Sequence, residues 1–181
     1  MKWPARKMAY IALFAALITA FSQISIPIGP VPINLALLAV FAAGGLLTAG
    51  EAILSVILFL ALGAVGLPVF SGFSAGLGVL AGPTGGYLLG YLPAAFCAGA
   101  FSRKRGRFGW YALGMCLGLV LCYVLGTAWF VVSSSVEVGY ALGICVFPFL
   151  PGDAMKILLA SYLCLRVKKS IRSGGITGNL L

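Results

Sequence analysis

Asp153 and Lys156 stand three residues apart, directly after Pro151 and Gly152, in a segment otherwise as apolar as lipid. A charged side chain inside a membrane costs about 2.5–3.5 kcal/mol on insertion scales, so a carboxylate and an ammonium kept there bind or move something. Residues i and i+3 share one face of a helix. An anionic acceptor and a cationic donor can therefore point into one cavity, near the positive end of the helix dipole. The same residues also have a structural reading. An aspartate two residues after a proline suits a helix start, and Lys156 would neutralise it, as a buried charge requires. Capping and ligand binding can coexist on one carboxylate.

The elements that hold this pair follow from composition. Of 181 residues, 62% are hydrophobic and 8% charged, and mean hydropathy is +1.13. Soluble domains carry about 25% charged residues, so the solvent for this chain is lipid. A span needs about 20 apolar residues. The pattern predicts an all-α integral membrane protein, one domain over 1–181, with six transmembrane helices over approximately 8–26, 33–48, 50–67, 84–101, 109–132 and 147–166. The first apolar run is too long for a signal peptide and is retained as a helix.

The net charge of +9 is concentrated at Lys2, Arg6 and Lys7, at Arg103, Lys104, Arg105 and Arg107, and at Arg166, Lys168, Lys169 and Arg172. With six alternating spans these clusters face one side, which the positive-inside rule makes cytoplasmic together with both termini. The charge therefore marks orientation in a multi-pass cell-membrane protein, and nucleic acid is not an expected partner.

Other chemistry has little support. There is no histidine, so a zinc site, a haem ligand or a Ser-His pair has no residues to build on. Cys97, Cys116, Cys122, Cys145 and Cys164 show no ligand spacing and read as small apolar residues. The remaining carboxylates, Glu51 and Glu137, map to connections on opposite sides, which leaves a membrane enzyme without a catalytic constellation. A channel would repeat polar residues along one face. Here they gather at one end, as suits a pocket open to one side.

Two stretches on the outer side interrupt the apolar helices. The prolines of Ile26-Pro27-Ile28-Gly29-Pro30-Val31-Pro32-Ile33 impose an extended turn. The stretch from Gly66 to Tyr87 is too glycine-rich for a plain helix, and is either a capping loop or a lid over a pocket. On the first helix Ala12, Ala16 and Ala20 form a small-residue stripe suited to close packing, within the bundle or against a partner.

Pro30-Val31-Pro32-Ile33, Gly66-Leu67-Pro68-Val69-Phe70, Gly82-Pro83-Thr84-Gly85-Gly86-Tyr87-Leu88 and Pro151-Gly152-Asp153-x-x-Lys156 together resemble the BioY family of biotin transporters, the substrate-binding S components of energy-coupling factor (ECF) transporters. The resemblance runs from the first helix to the last. It implies a six-helix S-component bundle that binds biotin from outside with high affinity and is energised by a membrane coupling subunit and two cytoplasmic ATPases. It also implies that the Ala12, Ala16 and Ala20 face docks on the coupling subunit, and that release follows toppling of the whole bundle. No GxxxxGK[ST] phosphate loop is present, so ATP chemistry belongs to a partner.

Biotin offers two ureido N–H donors, a ureido carbonyl, an apolar thioether ring and a carboxylate tail. Asp153 suits the ureido N–H groups, and Lys156 the ureido carbonyl or the carboxylate. Tyr87 and Phe73 are candidate ring walls, Asn34 a polar contact or a helix cap, and Gly85 and Gly86 points of close backbone approach or of helix packing. No cofactor and no metal is expected. The chain departs from the family where a Thr-Leu-Gln run is common: it reads Asn34-Leu35-Ala36, and Ala36 has no polar group to offer.

Overall fold

The computed structural model describes residues 4–26, 31–102 and 107–173, which form eight helices and one two-stranded ribbon. Lys2, Arg103, Lys104, Arg105 and the turn over 27–30 lie outside the described residues, as does the side chain of Arg172. Helix α1 (Ala5–Gln23) starts after Pro4, whose carbonyl accepts the Lys7 amide at 2.9 Å. Beyond it, Ser25–Ile26 (β1) and Ile33–Asn34 (β2) pair antiparallel, so strand pairing brackets the proline-rich stretch.

Helix α2 (Ala36–Leu46) carries no polar side chain, and Ala36, Val40, Phe41 and Ala43 are fully enclosed. A helix that is apolar all round belongs in the interior. It is the post on which α1, α3 (Ala49–Ala64), α5 (Gly85–Ser102) and α8 (Leu150–Ser173) pack. Helix α3 opens with a capping box: the Glu51 amide donates to Thr48 Oγ1 at 3.3 Å, and the Thr48 amide donates to Glu51 Oε2 at 3.1 Å. The other Glu51 oxygen holds Lys7 Nζ at 3.1 Å, which joins the first turns of α1 and α3.

The glycine-rich stretch between α3 and α5 is a tied loop. It holds a 3-10 turn at Ser71–Phe73 and the short helix α4 (Leu77–Ala81). Phe70 is buried edge-on against Phe59, with ring centroids 5.4 Å apart, in space that exists because residue 63 lacks a side chain. The Gly76 amide donates to Gly63 O at 2.8 Å. Both ends of the turn are thus fixed to α3.

Helix α6 (Phe108–Ser134) packs closely along α5 through small residues. A methyl added at Gly118 would meet Ala94 Cα at 2.8 Å, and one at Gly90 would meet Cys122 Sγ at 2.8 Å. Gly86 lies against Trp129, and Gly126 under the Tyr87 ring. In lipid there is no hydrophobic drive between helices, so close backbone contact of this kind supplies the association. Helices α7 (Val138–Cys145) and α8 are bent by 52° across a short break.

Helices α1, α2, α3, α5, α6 and α8 occupy in order the six expected spans. By length and composition α1 and α6 can each cross a membrane, the bent pair of α7 and α8 counts as a third where it is taken as one span, and α2 and α3 are shorter apolar helices. The hydropathy pattern gave no sign of α4 or α7. Leu113, Leu117, Val120 and Val124 on α6, with Leu158, Leu159 and Leu163 on α8, face outward. Apolar side chains exposed along whole helices mark a lipid-facing surface.

Candidate functional site

At the bundle end away from the Lys7–Glu51 bridge, a cavity of about 50 Å³ lies among β2 and five helices. Helix α8 supplies its charges. The Asp153 amide donates to Phe149 O at 2.8 Å, so residue 153 already belongs to the first helical turn. Its carboxylate turns inward instead of capping the helix. Asp153 Oδ1 accepts from Lys156 Nζ at 2.7 Å and Oδ2 from the Tyr123 hydroxyl at 2.5 Å. Asp153 is 3% exposed and Lys156 7%, which makes this a buried ion pair. Such a pair has to be held by further hydrogen bonds, and Tyr123 provides one.

Helix α5 contributes Tyr87 and Tyr91, one turn apart on the same face. The Tyr87 hydroxyl shares a hydrogen bond with Thr127 Oγ1 at 2.9 Å, and the Tyr91 hydroxyl donates to Asn34 Oδ1 at 3.4 Å. The same Asn34 oxygen accepts the Ala36 amide at 3.0 Å, so Asn34 both starts α2 and lines the cavity. Val31, Leu37 and Phe149 form the apolar wall, and Cys122 and Cys145 complete it. An ammonium has three donors, and one of those on Lys156 is spent on Asp153. The site therefore offers a carboxylate acceptor, an ammonium donor, phenolic hydroxyls and apolar surface around one cavity. That set fits a small amphiphilic molecule carrying both N–H and carbonyl groups.

Of the sequence-predicted site residues, Asp153, Lys156, Tyr87 and Asn34 come together around the cavity. Phe73 does not: it is 72% exposed on the loop before α4. Gly85 faces Leu80 O and Gly86 faces Trp129, both packing contacts outside the cavity lining. No residue of the glycine-rich loop lines the cavity; its nearest link is Ser71, which accepts from Asn34 Nδ2 at 2.7 Å. Ala12, Ala16 and Ala20 all face outward, while Phe14, Ala15 and Ile18 of the same helix are buried. Sequence reasoning missed Tyr91 and Tyr123. Tyr91 carries a signal in its spacing of four from Tyr87. Tyr123 carries only the general one that a hydroxyl within a span needs a partner. Among the described residues, no three His, Cys, Asp or Glu side chains cluster as metal ligands would.

The family model described as "BioY family" matches residues 1–173. A protein named biotin transporter BioY from Thermotoga maritima is 39% identical over 165 residues, covering 91% of this chain and 96% of the relative. Another of that name from Rhodobacter capsulatus is 38% identical, covering 85% of this chain and 88% of the relative. Among solved structures, the crystal structure of the S-component for biotin from an ECF-type ABC transporter superposes with a TM-score of 0.82 at 31% identity. It covers 91% of this chain and 92% of that one.

Proposed function

The chain belongs to the BioY family, and from that premise we propose that it is the high-affinity biotin-binding S component of an energy-coupling factor transporter. The observation that carries the reading is the buried Asp153–Lys156 pair facing a half-open cavity at one end of the bundle. The ureido N–H groups find their acceptor in Asp153. Lys156 donates to the ureido carbonyl or the tail carboxylate, and Asn34 has an amide hydrogen left for either. Tyr87, Tyr91 and Phe149 flank the thioether ring. Gly85 and Gly86 serve the site by letting α5 and its neighbours close up, and Phe73 stays on the loop outside the lining.

Binding exchanges hydrogen bonds rather than creating them from nothing. Tyr123 and Lys156 already satisfy Asp153, so the ureido group shares or displaces these partners inside a low-dielectric site, where each charge-assisted bond is strong. No reaction is required of the protein, and it works as a binding subunit rather than an enzyme. It lies in the cell membrane as a multi-pass protein. The basic residues Lys7, Arg107, Lys168 and Lys169 mark the cytoplasmic end with both termini, which leaves the cavity toward the outside.

Titration calorimetry of biotin into the detergent-purified protein is expected to give tight one-to-one binding; a folded protein that returns no heat of binding overturns the assignment. Uptake then falls to partners: a membrane coupling subunit and two cytoplasmic ATPases, docking on the outward Ala12, Ala16 and Ala20 face. Ala16→Trp is expected to leave biotin affinity unchanged and to abolish ATP-driven uptake in vesicles holding the full complex. Uptake at the wild-type rate by that variant would place the docking surface elsewhere.

A further inference from the structure

The loop between α3 and α4 contains a backbone that its sequence does not favour. Gly72 and Phe73 stand in succession in the left-handed region, at φ 67° and 57°. Glycine enters that region freely, but a phenylalanine does not, and such a conformation persists only where its surroundings over-determine it. The turn is closed within itself by the Phe70 amide on Ser74 O at 3.1 Å and the Ser74 hydroxyl on Ser71 O at 2.8 Å, and it is gripped from α1 by one further side chain. Gln23, the last residue of α1, accepts the Phe73 amide on Oε1 at 3.0 Å and donates Nε2 to Val69 O and Phe70 O, each at 3.1 Å. A carboxamide has two donors and an acceptor, and this one spends all three on the loop, as a neighbouring strand would.

The loop passes that constraint inward. Ser71 donates to Ser22 O at 3.1 Å and accepts from Asn34 Nδ2 at 2.7 Å. Asn34 in turn receives Tyr91, and both line the cavity. We infer that Gln23 is a positioning residue for the ligand cavity: its amide holds the strained loop so that Ser71 fixes the orientation of Asn34 and Tyr91. The inference rests on the biotin reading for its ligand, and on the hydrogen bonds alone for its geometry. An outer loop held in place from α1 slows ligand escape while leaving encounter almost unchanged, since mutational effects on affinity fall mostly on dissociation.

The test uses the detergent-purified full chain, with release of radiolabelled biotin chased by unlabelled biotin. Gln23→Ala is expected to speed dissociation about tenfold, the effect of losing roughly one net hydrogen bond to three groups, with association within about twofold of wild type. Gln23→Glu keeps the size and the acceptor but turns an oxygen toward two carbonyls, so it is expected to match Gln23→Ala. Ser71→Ala acts further along the same relay, and Gln23→Ala/Ser71→Ala is expected to release biotin no faster than the worse single variant. Amide exchange over residues 69–74, measured without ligand, is expected to rise in Gln23→Ala. Wild-type release and exchange in both Gln23 variants would overturn the inference, as would effects of Gln23→Ala and Ser71→Ala that simply multiply. If the wild type binds no biotin, the functional reading falls, and the exchange measurement alone decides whether Gln23 holds the loop.

Discussion

Asp153→Asn is expected to lower biotin affinity by about a hundredfold or more, because it removes a charged acceptor from a buried site. It also strands Lys156, which is 7% exposed and whose one ion-pair partner among the described residues is Asp153. Breaking a buried pair from one side costs about 3–5 kcal/mol, whereas replacing both members by neutral groups of similar shape is often neutral. Asp153→Asn and Lys156→Met should therefore each lose thermal stability and binding, while Asp153→Asn/Lys156→Met regains stability and still fails to bind. Melting curves in detergent beside biotin titrations separate the two effects. A double variant that binds biotin at wild-type affinity would show that the pair is only structural.

The second large effect is expected at Gly118→Leu. The backbone of Ala94 lies 2.8–2.9 Å from where a Cβ would sit, and backbone cannot step aside as a flexible side chain can. Overpacking usually costs about 1–3 kcal/mol and more where nothing yields. Here the helices would have to separate along the seam that carries Tyr87 and Tyr91 on one side and Cys122 and Tyr123 on the other. Loss of a monodisperse, biotin-binding species on size exclusion is the expected outcome. Gly109→Leu on the same helix meets nothing within 4 Å and is expected to melt at or above the wild-type temperature. Equal behaviour of the two variants would remove the packing argument.

Much of this architecture is legible in the residues. Lipid as solvent follows from composition, and the positions of the six main helices follow from hydropathy, although α2 is much shorter than the stretch expected for it. Asp153 and Lys156 stand out because charge in an apolar span is costly. What escaped had weaker or competing signals. Thr48-x-x-Glu51 is a capping box in plain sequence, yet Glu51 reads first as a charge in a connection. The fourfold spacing of Gly86, Gly90, Ala94 and Ala98 against Gly114, Gly118, Cys122 and Gly126 describes the seam, but a glycine next to a binding motif invites a ligand role. Phe73 looked like a ring wall because it is aromatic and near the pocket in sequence; a left-handed backbone turns it outward. Gln23 and Tyr123 act through tertiary contacts that no local pattern encodes.

Helix α2 has 11 residues, which rise about 16 Å at 1.5 Å each, roughly half the hydrocarbon thickness of about 30 Å. Leu37 in its first turn, and Asn34 just before it, border the cavity. The cavity sits where α2 begins, in the part of the bundle that this short helix leaves unfilled. Ligand size is then metered by where one helix begins. Adding a turn to the start of α2 is expected to close the site without altering a single polar residue.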